Sequence, residues 1–391
     1  MTEINGWTSK GFEGVRTAFE ANFDAGAEVG AAFSAYHHGD KVVDLWAGVA
    51  DESTGRPWTE DTLMPVFSTT KGWTAMAANR LIAEGLLDPT QPAAHYWPGF
   101  EANGKSKVTV EHLLSHQAGL AWSDVDLTIA EVLEWDPVIA ALEAQRPSWE
   151  PGTAHGYHAL TYGWLVGEVI ARVTGRSIGT YLRAEIAEPL ELDLWIGTPE
   201  SVEDRIGALV SSPGGLGGDL ALDDSLAEIL APFLGPEGVL TKALGANLGA
   251  FDDFGVWNSP EVHRGEIPAA NGVCDASSLA KIYAACIGEV DGFRVLDDAQ
   301  LRDATTQRTT GPNTILMNMD IQFGLGFMLR SPVMPIGGPG SFGHFGAGGS
   351  MGWADPTTSM TFGYIMNKMA LGATGDERTA RLTAACFDAI A

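Results

Sequence analysis

The chain has 391 residues, 45% of them hydrophobic, and a formal net charge of −27 from 23 Lys and Arg against 50 Asp and Glu. That length and apolar content support one large folded domain or two smaller ones. So acidic a surface repels nucleic acid and anionic membranes, excludes both as expected partners, and disfavours anionic substrates unless a pocket carries local positive charge. No apolar run reaches membrane-spanning length, and Met1-Thr2-Glu3-Ile4-Asn5-Gly6 lacks a basic region leading into an apolar stretch, so a cytoplasmic location is expected. Cys274, Cys286 and Cys386 are too few and too scattered for a disulfide framework or a zinc site, and read as buried thiols.

In chain order, Phe12, Val15, Phe19 and Phe23 recur at helical spacing and predict a helix over 11–25. Strands are expected over 29–36 and 41–47, joined by a turn at His37-His38-Gly39-Asp40. The stretch 72–87 is mostly apolar, with Arg80 and Glu84 as its only charges, and predicts a largely buried helix. Further helices are expected over 109–115, 128–145, 159–174 and 177–187. From about 201 to 265 the pattern loosens, and Ser212-Pro213-Gly214-Gly215-Leu216-Gly217-Gly218 reads as a flexible pocket wall. A helix resumes over 276–287. Strands follow over 323–329, 341–346, 350–354 and 359–366, and a helix over 376–390 closes the chain. Strands at both ends with helices between them predict an α/β (α+β) fold. Residues 1–70 and 264–391 would form an antiparallel sheet domain flanked by helices, and 71–263 a mainly helical inserted region, with the active site at their junction.

The chemistry begins at Ser68-Thr69-Thr70-Lys71. Residues at i and i+3 share a helix face, so hydroxyl and amine can touch. A buried lysine can be neutral and take the serine proton, making a nucleophile and base without histidine. The same spacing recurs at Ser278-Leu279-Ala280-Lys281, so spacing alone does not choose. Tyr157 follows a Pro-Gly turn just ahead of a helix, where a phenol or tyrosinate could share a proton with Lys71 and Ser68. Gly343-His344-Phe345-Gly346-Ala347-Gly348-Gly349 reads as a strand whose glycines permit close approach, able to aim a backbone N–H at a substrate oxygen. Ser350 sits in a Gly-x-Ser-x-Gly, but its flanks read as strands and no histidine follows it, so the strand-to-helix elbow chemistry is not expected there. His112 and His116 at i,i+4 invite a zinc reading, with no third ligand evident. No metal is expected.

Phe67-Ser68-Thr69-Thr70-Lys71, Val110-Glu111-His112-Leu113-Leu114-Ser115-His116-Gln117-Ala118-Gly119-Leu120, Tyr157 and His344-Phe345-Gly346, in this order, resemble the serine β-lactamase and penicillin-binding protein superfamily. The pattern is most like its class C-like branch and family VIII carboxylesterases, on the strength of Tyr157-His158-Ala159-Leu160-Thr161-Tyr162-Gly163-Trp164-Leu165. The resemblance runs from about residue 10 to the C-terminus and sets Ser278 aside. It implies a β-lactamase-like fold without cofactor, with Ser68 as acylated nucleophile and Lys71 and Tyr157 as general base and then acid. It also implies an oxyanion hole from the backbone N–H groups of Ser68 and Ala347, and a structural use for the His112–His116 segment. The β-lactamases carry Lys-Thr-Gly where this chain has His344-Phe345-Gly346, and class C enzymes carry Asn where it has Ala159. Both changes remove polar anchors and favour short or medium carboxylic esters as small-molecule substrates. Trp122, Trp257 and Phe345 are expected pocket residues beside His344 and Gly346. The alternatives are β-lactam or amide hydrolysis of D,D-peptidase type, acyl transfer to an acceptor other than water, and a non-catalytic binding protein. The sequence sets no expectation for the number of subunits.

Overall fold

The structure is a computed structural model that describes residues 2–211, 232–234, 237–245, 250–251, 253–370 and 375–391. Four strands come from the N-terminal side: β1 (Ile4–Thr8), β2 (Gly30–His37), β3 (Asp40–Asp51) and β4 (Arg56–Pro57). Three two-residue strands follow, β5 (Met64–Pro65), β6 (Leu194–Trp195) and β7 (Val273–Cys274), and make a small sheet in the order β5-β7-β6. The last four are β8 (Met328–Leu329), β9 (Phe342–Phe345), β10 (Met351–Asp355) and β11 (Met360–Met366). The two ends of the chain share one antiparallel sheet in the order β1-β3-β2-β11-β10-β9-β8, with β4 on β3. The join is β2 to β11, registered with Ser34 opposite Gly363. The expected hairpin is present: His38 and Gly39 have φ of 54° and 87°, the two left-handed residues whose twist suits a two-residue turn.

Helices cover both faces, which is why β10 and β11 are buried at every residue instead of alternating. The helix Ala276–Ile287 lies on one face, over Gly363, where a methyl group would run into the Ala276 carbonyl. The adjacent Phe362 points to the other face and packs on Phe387 of the helix Glu377–Asp388, which in turn packs against α1 (Glu13–Asp24). The helix α2 (Thr70–Ala83) is buried along most of its length and packs against the helix Thr161–Thr174 and against β9. Its start two residues before the expected 72 brings Lys71 into the first turn.

Some expectations differ from the structure for local reasons. The helix expected over 128–145 is two, Ile129–Leu133 and Asp136–Ala144, because Pro137 has no amide to continue one helix and the chain turns at Trp135 with φ of 70°. The helix expected over 177–187 is α-helical over Ile178–Leu182 and widens into a π-turn over Arg183–Ala187. The strand expected over 323–329 shortens to Met328–Leu329. Strand β1 was not expected: it is a sheet edge with Asn5 and Trp7 exposed, so it lacks a buried apolar stripe. The segment 212–218 lies outside the described residues. Among the described residues, no helix is long and apolar enough to cross a membrane.

Candidate active site

Ser68 sits in a single 3-10 turn, Phe67–Thr69, that feeds α2. Phe67 has φ of 46°, a left-handed conformation that a bulky residue adopts at a cost of about 1–3 kcal/mol, sustained only by its surroundings. Those surroundings are the segment 267–272, which straps the start of α2. Val66 N–H donates to Gly272 O at 2.9 Å, Gly272 N–H to Thr70 Oγ1 at 2.9 Å, and Thr74 Oγ1 to Pro268 O at 2.7 Å. Thr70 Oγ1 donates in turn to Phe67 O at 2.6 Å.

The strap also supplies a partner for Lys71. The Lys71 Nζ lies 3.0 Å from Ser68 Oγ, 2.6 Å from Ala159 O and 2.9 Å from Ala269 O. The side chain is fully buried, and desolvation holds its pKa well below the usual lysine value. Among the described residues Lys71 forms no ion pair that would restore the charge. A neutral amine has two N–H donors and one lone pair. The two carbonyls take the donors, so the lone pair is left facing the Ser68 hydroxyl. The second Ser-x-x-Lys does the reverse. Lys281 pairs with Asp291 at 2.6 Å and donates to Leu190 O at 2.8 Å, while Ser278 Oγ donates to Asp275 Oδ2 at 3.1 Å and accepts Asp193 N–H at 2.8 Å. There the amine is paired with a carboxylate, and the hydroxyl belongs to a helix cap.

Tyr157 completes the group. Its phenol interacts with the Ser68 side chain, and its ring centroid is 4.8 Å from Lys71 Nζ. Burial raises its pKa far above the usual phenol value, which favours the neutral phenol over the tyrosinate. Ser68 can then donate to Lys71 while accepting from Tyr157. Ala159, which has no side-chain amide to offer a substrate, contributes its carbonyl to Lys71 instead.

The end of β9 is clasped to the turn that carries Ser68. Ser350 Oγ donates to Val66 O at 2.7 Å and lies 3.0 Å from Thr69 Oγ1, and Gly346 N–H donates to Ser350 O at 2.8 Å. A methyl group on Gly346 would overlap both Val66 O and Ser350 Oγ, so only glycine allows this approach to the turn that carries Ser68. We expect Gly346→Ala to lower kcat by 10-fold or more, about 1.4 kcal/mol at the barrier, and to lower the melting temperature, measured by ester turnover and thermal denaturation. Ser350 itself is buried and its hydroxyl is engaged, ahead of strand β10 and not at a strand-to-helix elbow.

His344 is fully buried, its Nδ1–H donates to Phe345 O at 2.7 Å, and burial together with Lys71 pushes its pKa down to about 3. Phe345 projects from the opposite side of the strand: its ring packs 5.5 Å from Trp353 and against Gly375, away from Ser68. Trp257 lies edge-on to Phe67 at 5.1 Å and stacks on Phe251 at 4.8 Å, forming an aromatic wall next to the turn that carries Ser68. Trp122 is half-buried, on the loop whose Leu120 carbonyl accepts Thr161 Oγ1 at 2.6 Å, and its Nε1–H donates to Asp124 at 3.3 Å. Of the paired histidines, His112 accepts Thr109 N–H at 3.3 Å as part of its helix cap, and His116 turns inward against Tyr157. The two carbonyls that hold Lys71 were not anticipated, because a backbone acceptor leaves no signal in side-chain identity.

A family model described as Beta-lactamase matches residues 15–386. The chain is 36% identical over 363 residues to esterase/beta-lactamase LipL of Mycobacterium tuberculosis (strain ATCC 25618 / H37Rv), covering 92% of this chain and 81% of that protein. The crystal structure of a family VIII carboxylesterase superposes with a TM-score of 0.88 at 35% identity, covering 99% of this chain and 100% of that one. A penicillin-binding protein homologue from Caulobacter crescentus superposes with a TM-score of 0.87 at 38% identity, again covering 99% and 100%. The chain therefore belongs to the beta-lactamase family, as a hydrolase of that fold close to the family VIII carboxylesterases.

Proposed function

We propose that the protein is a serine carboxylesterase that cleaves short and medium carboxylic esters through an acyl-enzyme on Ser68. The observation that carries this reading is the Lys71 amine, 3.0 Å from Ser68 Oγ with both of its own donors committed to carbonyls. Lys71 takes the Ser68 proton as Oγ attacks the ester carbonyl, and the backbone N–H groups of Ser68 and Ala347 receive the oxyanion. The proton returns through Tyr157 to the departing alcohol. Water then attacks the acyl carbon, giving its proton back along the same path and releasing the acid and free Ser68.

The substrate class rests on charge. A β-lactam carries a carboxylate, and the position where a cationic anchor would stand is held by a buried, neutral His344. The wall of Phe67, Trp257 and Phe251 suits an apolar acyl or alkyl group. A panel of p-nitrophenyl esters from acetate to octanoate beside a chromogenic cephalosporin tests the proposal. We expect kcat/KM for the preferred ester to exceed that for the cephalosporin by 100-fold or more, about 2.7 kcal/mol in transition-state binding. A preference for the cephalosporin would make it a β-lactam hydrolase, and ester exchange with added alcohol outpacing hydrolysis would make it an acyltransferase.

A further inference from the structure

We infer that His116 is the positioning residue for Tyr157, acting through the backbone of the tyrosine's own loop. This deepens the reading of the site given above and rests on it. The loop Gly156-Tyr157-His158 has three N–H groups, and each is held. Gly156 N–H donates to His116 O at 3.0 Å, and His158 N–H donates to His116 Nδ1 at 3.1 Å. Tyr157 N–H, between them, donates to Asn313 Oδ1 at 3.1 Å. One residue thus grips both sides of the tyrosine, with its carbonyl before and its ring nitrogen after. The His116 ring also lies 5.0 Å from the Tyr157 ring and 4.5 Å, edge-on, from Phe323, which stacks on Tyr157 from 6.2 Å.

The grip requires one chemical state and one backbone state. Nδ1 can accept the His158 N–H only if the ring is neutral with its proton on Nε2. Complete burial among aromatic rings keeps it neutral. His116 also has φ of 61°, a left-handed conformation that places its carbonyl and its ring on the same loop. Histidine and asparagine adopt that conformation more readily than most residues, and an asparagine Oδ1 can stand where Nδ1 stands. Phenylalanine keeps the ring and loses the acceptor.

The mechanism needs the Tyr157 hydroxyl within hydrogen-bonding reach of Ser68, and a displacement near 1 Å is enough to cost about 100-fold. The test compares His116→Phe, His116→Leu and His116→Asn on the preferred ester, alone and with Tyr157→Phe. We expect Phe and Leu to lower kcat 10- to 100-fold with KM changed less than threefold, and Asn to recover kcat to within fivefold of wild type. We also expect that in the Tyr157→Phe background His116→Phe and His116→Leu cause no further loss, since a group acting through Tyr157 has nothing left to position. Additive losses in the double variants, or a folded Asn variant as slow as Tyr157→Phe, would overturn the inference. If Phe and Leu do not fold, the Asn variant decides it alone. A Tyr157→Phe enzyme with wild-type kcat would instead sink the reading of the site itself.

Discussion

Replacing Ser68 with alanine is expected to reduce ester turnover by on the order of 10³-fold or more, to the residual rate that an oxyanion hole and binding alone supply. The melting temperature should stay within about 2 °C of wild type, because the start of α2 is secured by the Thr70 and Thr74 hydroxyls and by Val66, not by Ser68. The other two serines are the controls. Ser278→Ala should leave turnover within twofold, since its hydroxyl serves a helix cap. Ser350→Ala should fall between the two, losing the clasp to Val66 O without losing the nucleophile. The ordering Ser68, Ser350, Ser278 in steady-state assays is itself the result to check. Equal losses at Ser68 and Ser350 would shift the nucleophile away from the start of α2.

Lys71→Met should be nearly as damaging, because a nucleophile and its base act as one unit. The Ser68→Ala, Lys71→Met double variant should then be no slower than the worse single variant. Methionine keeps an unbranched apolar stem, has no lone pair to receive the Ser68 proton, and leaves the Ala159 and Ala269 carbonyls without their donor. The pH dependence follows from the same group. Lys71 works as a base when neutral, and its pKa in the fold is depressed, so kcat/KM rises with pH through that depressed value and reaches its plateau below the ordinary lysine range. Tyr157 is shifted upward and stays protonated across the assay range, so it adds no falling limb there. His344 and His158 do not supply the rising limb between pH 5 and 9, because His344 is pushed down to about 3 and His158 to about 4. Stability carries the matching sign. The unfolded chain binds a proton at this lysine that the folded chain does not, so wild type gains stability as pH rises between the two values, and Lys71→Met removes that gain. Initial rates against pH, with denaturant midpoints at the same pH values, measure both.

How much of this was legible in the sequence depends on where each interaction is encoded. Ser68 and Lys71 are three residues apart on one helix, so their meeting follows from helix geometry once α2 is recognised, and Tyr157 follows from the order of the motifs. The selectivity between two identical Ser-x-x-Lys spacings was not legible from spacing. It is written in partners outside the motif: carbonyls 88 and 198 positions away for Lys71, and the nearby carboxylate of Asp291 for Lys281. Strands β2, β3, β10 and β11 were legible because they are apolar runs bounded by turns, as was the helix Ala276–Ile287 that covers one face, whereas the exposed edge strand β1 gave no such run. Phe345 shows a signal present and misapplied. Side chains alternate along a strand, so if His344 and Gly346 face Ser68, Phe345 faces the opposite side, where it packs on Trp353. The break within 128–145 was likewise written in Pro137. The role of His116 left no such trace, because a ring nitrogen that accepts a backbone N–H can be told from a metal ligand or a core histidine only once the loop it holds is in view.

The most direct measurement is the intact mass of the protein after treatment with a fluorophosphonate, followed by peptide mapping of the adduct. An amine that has given up its charge beside a single alcohol predicts one covalent adduct per chain, carried by the peptide that contains Ser68 and absent from Lys71→Met. An adduct on the peptide of Ser278 or Ser350, or a chain that stays unlabelled, would contradict it.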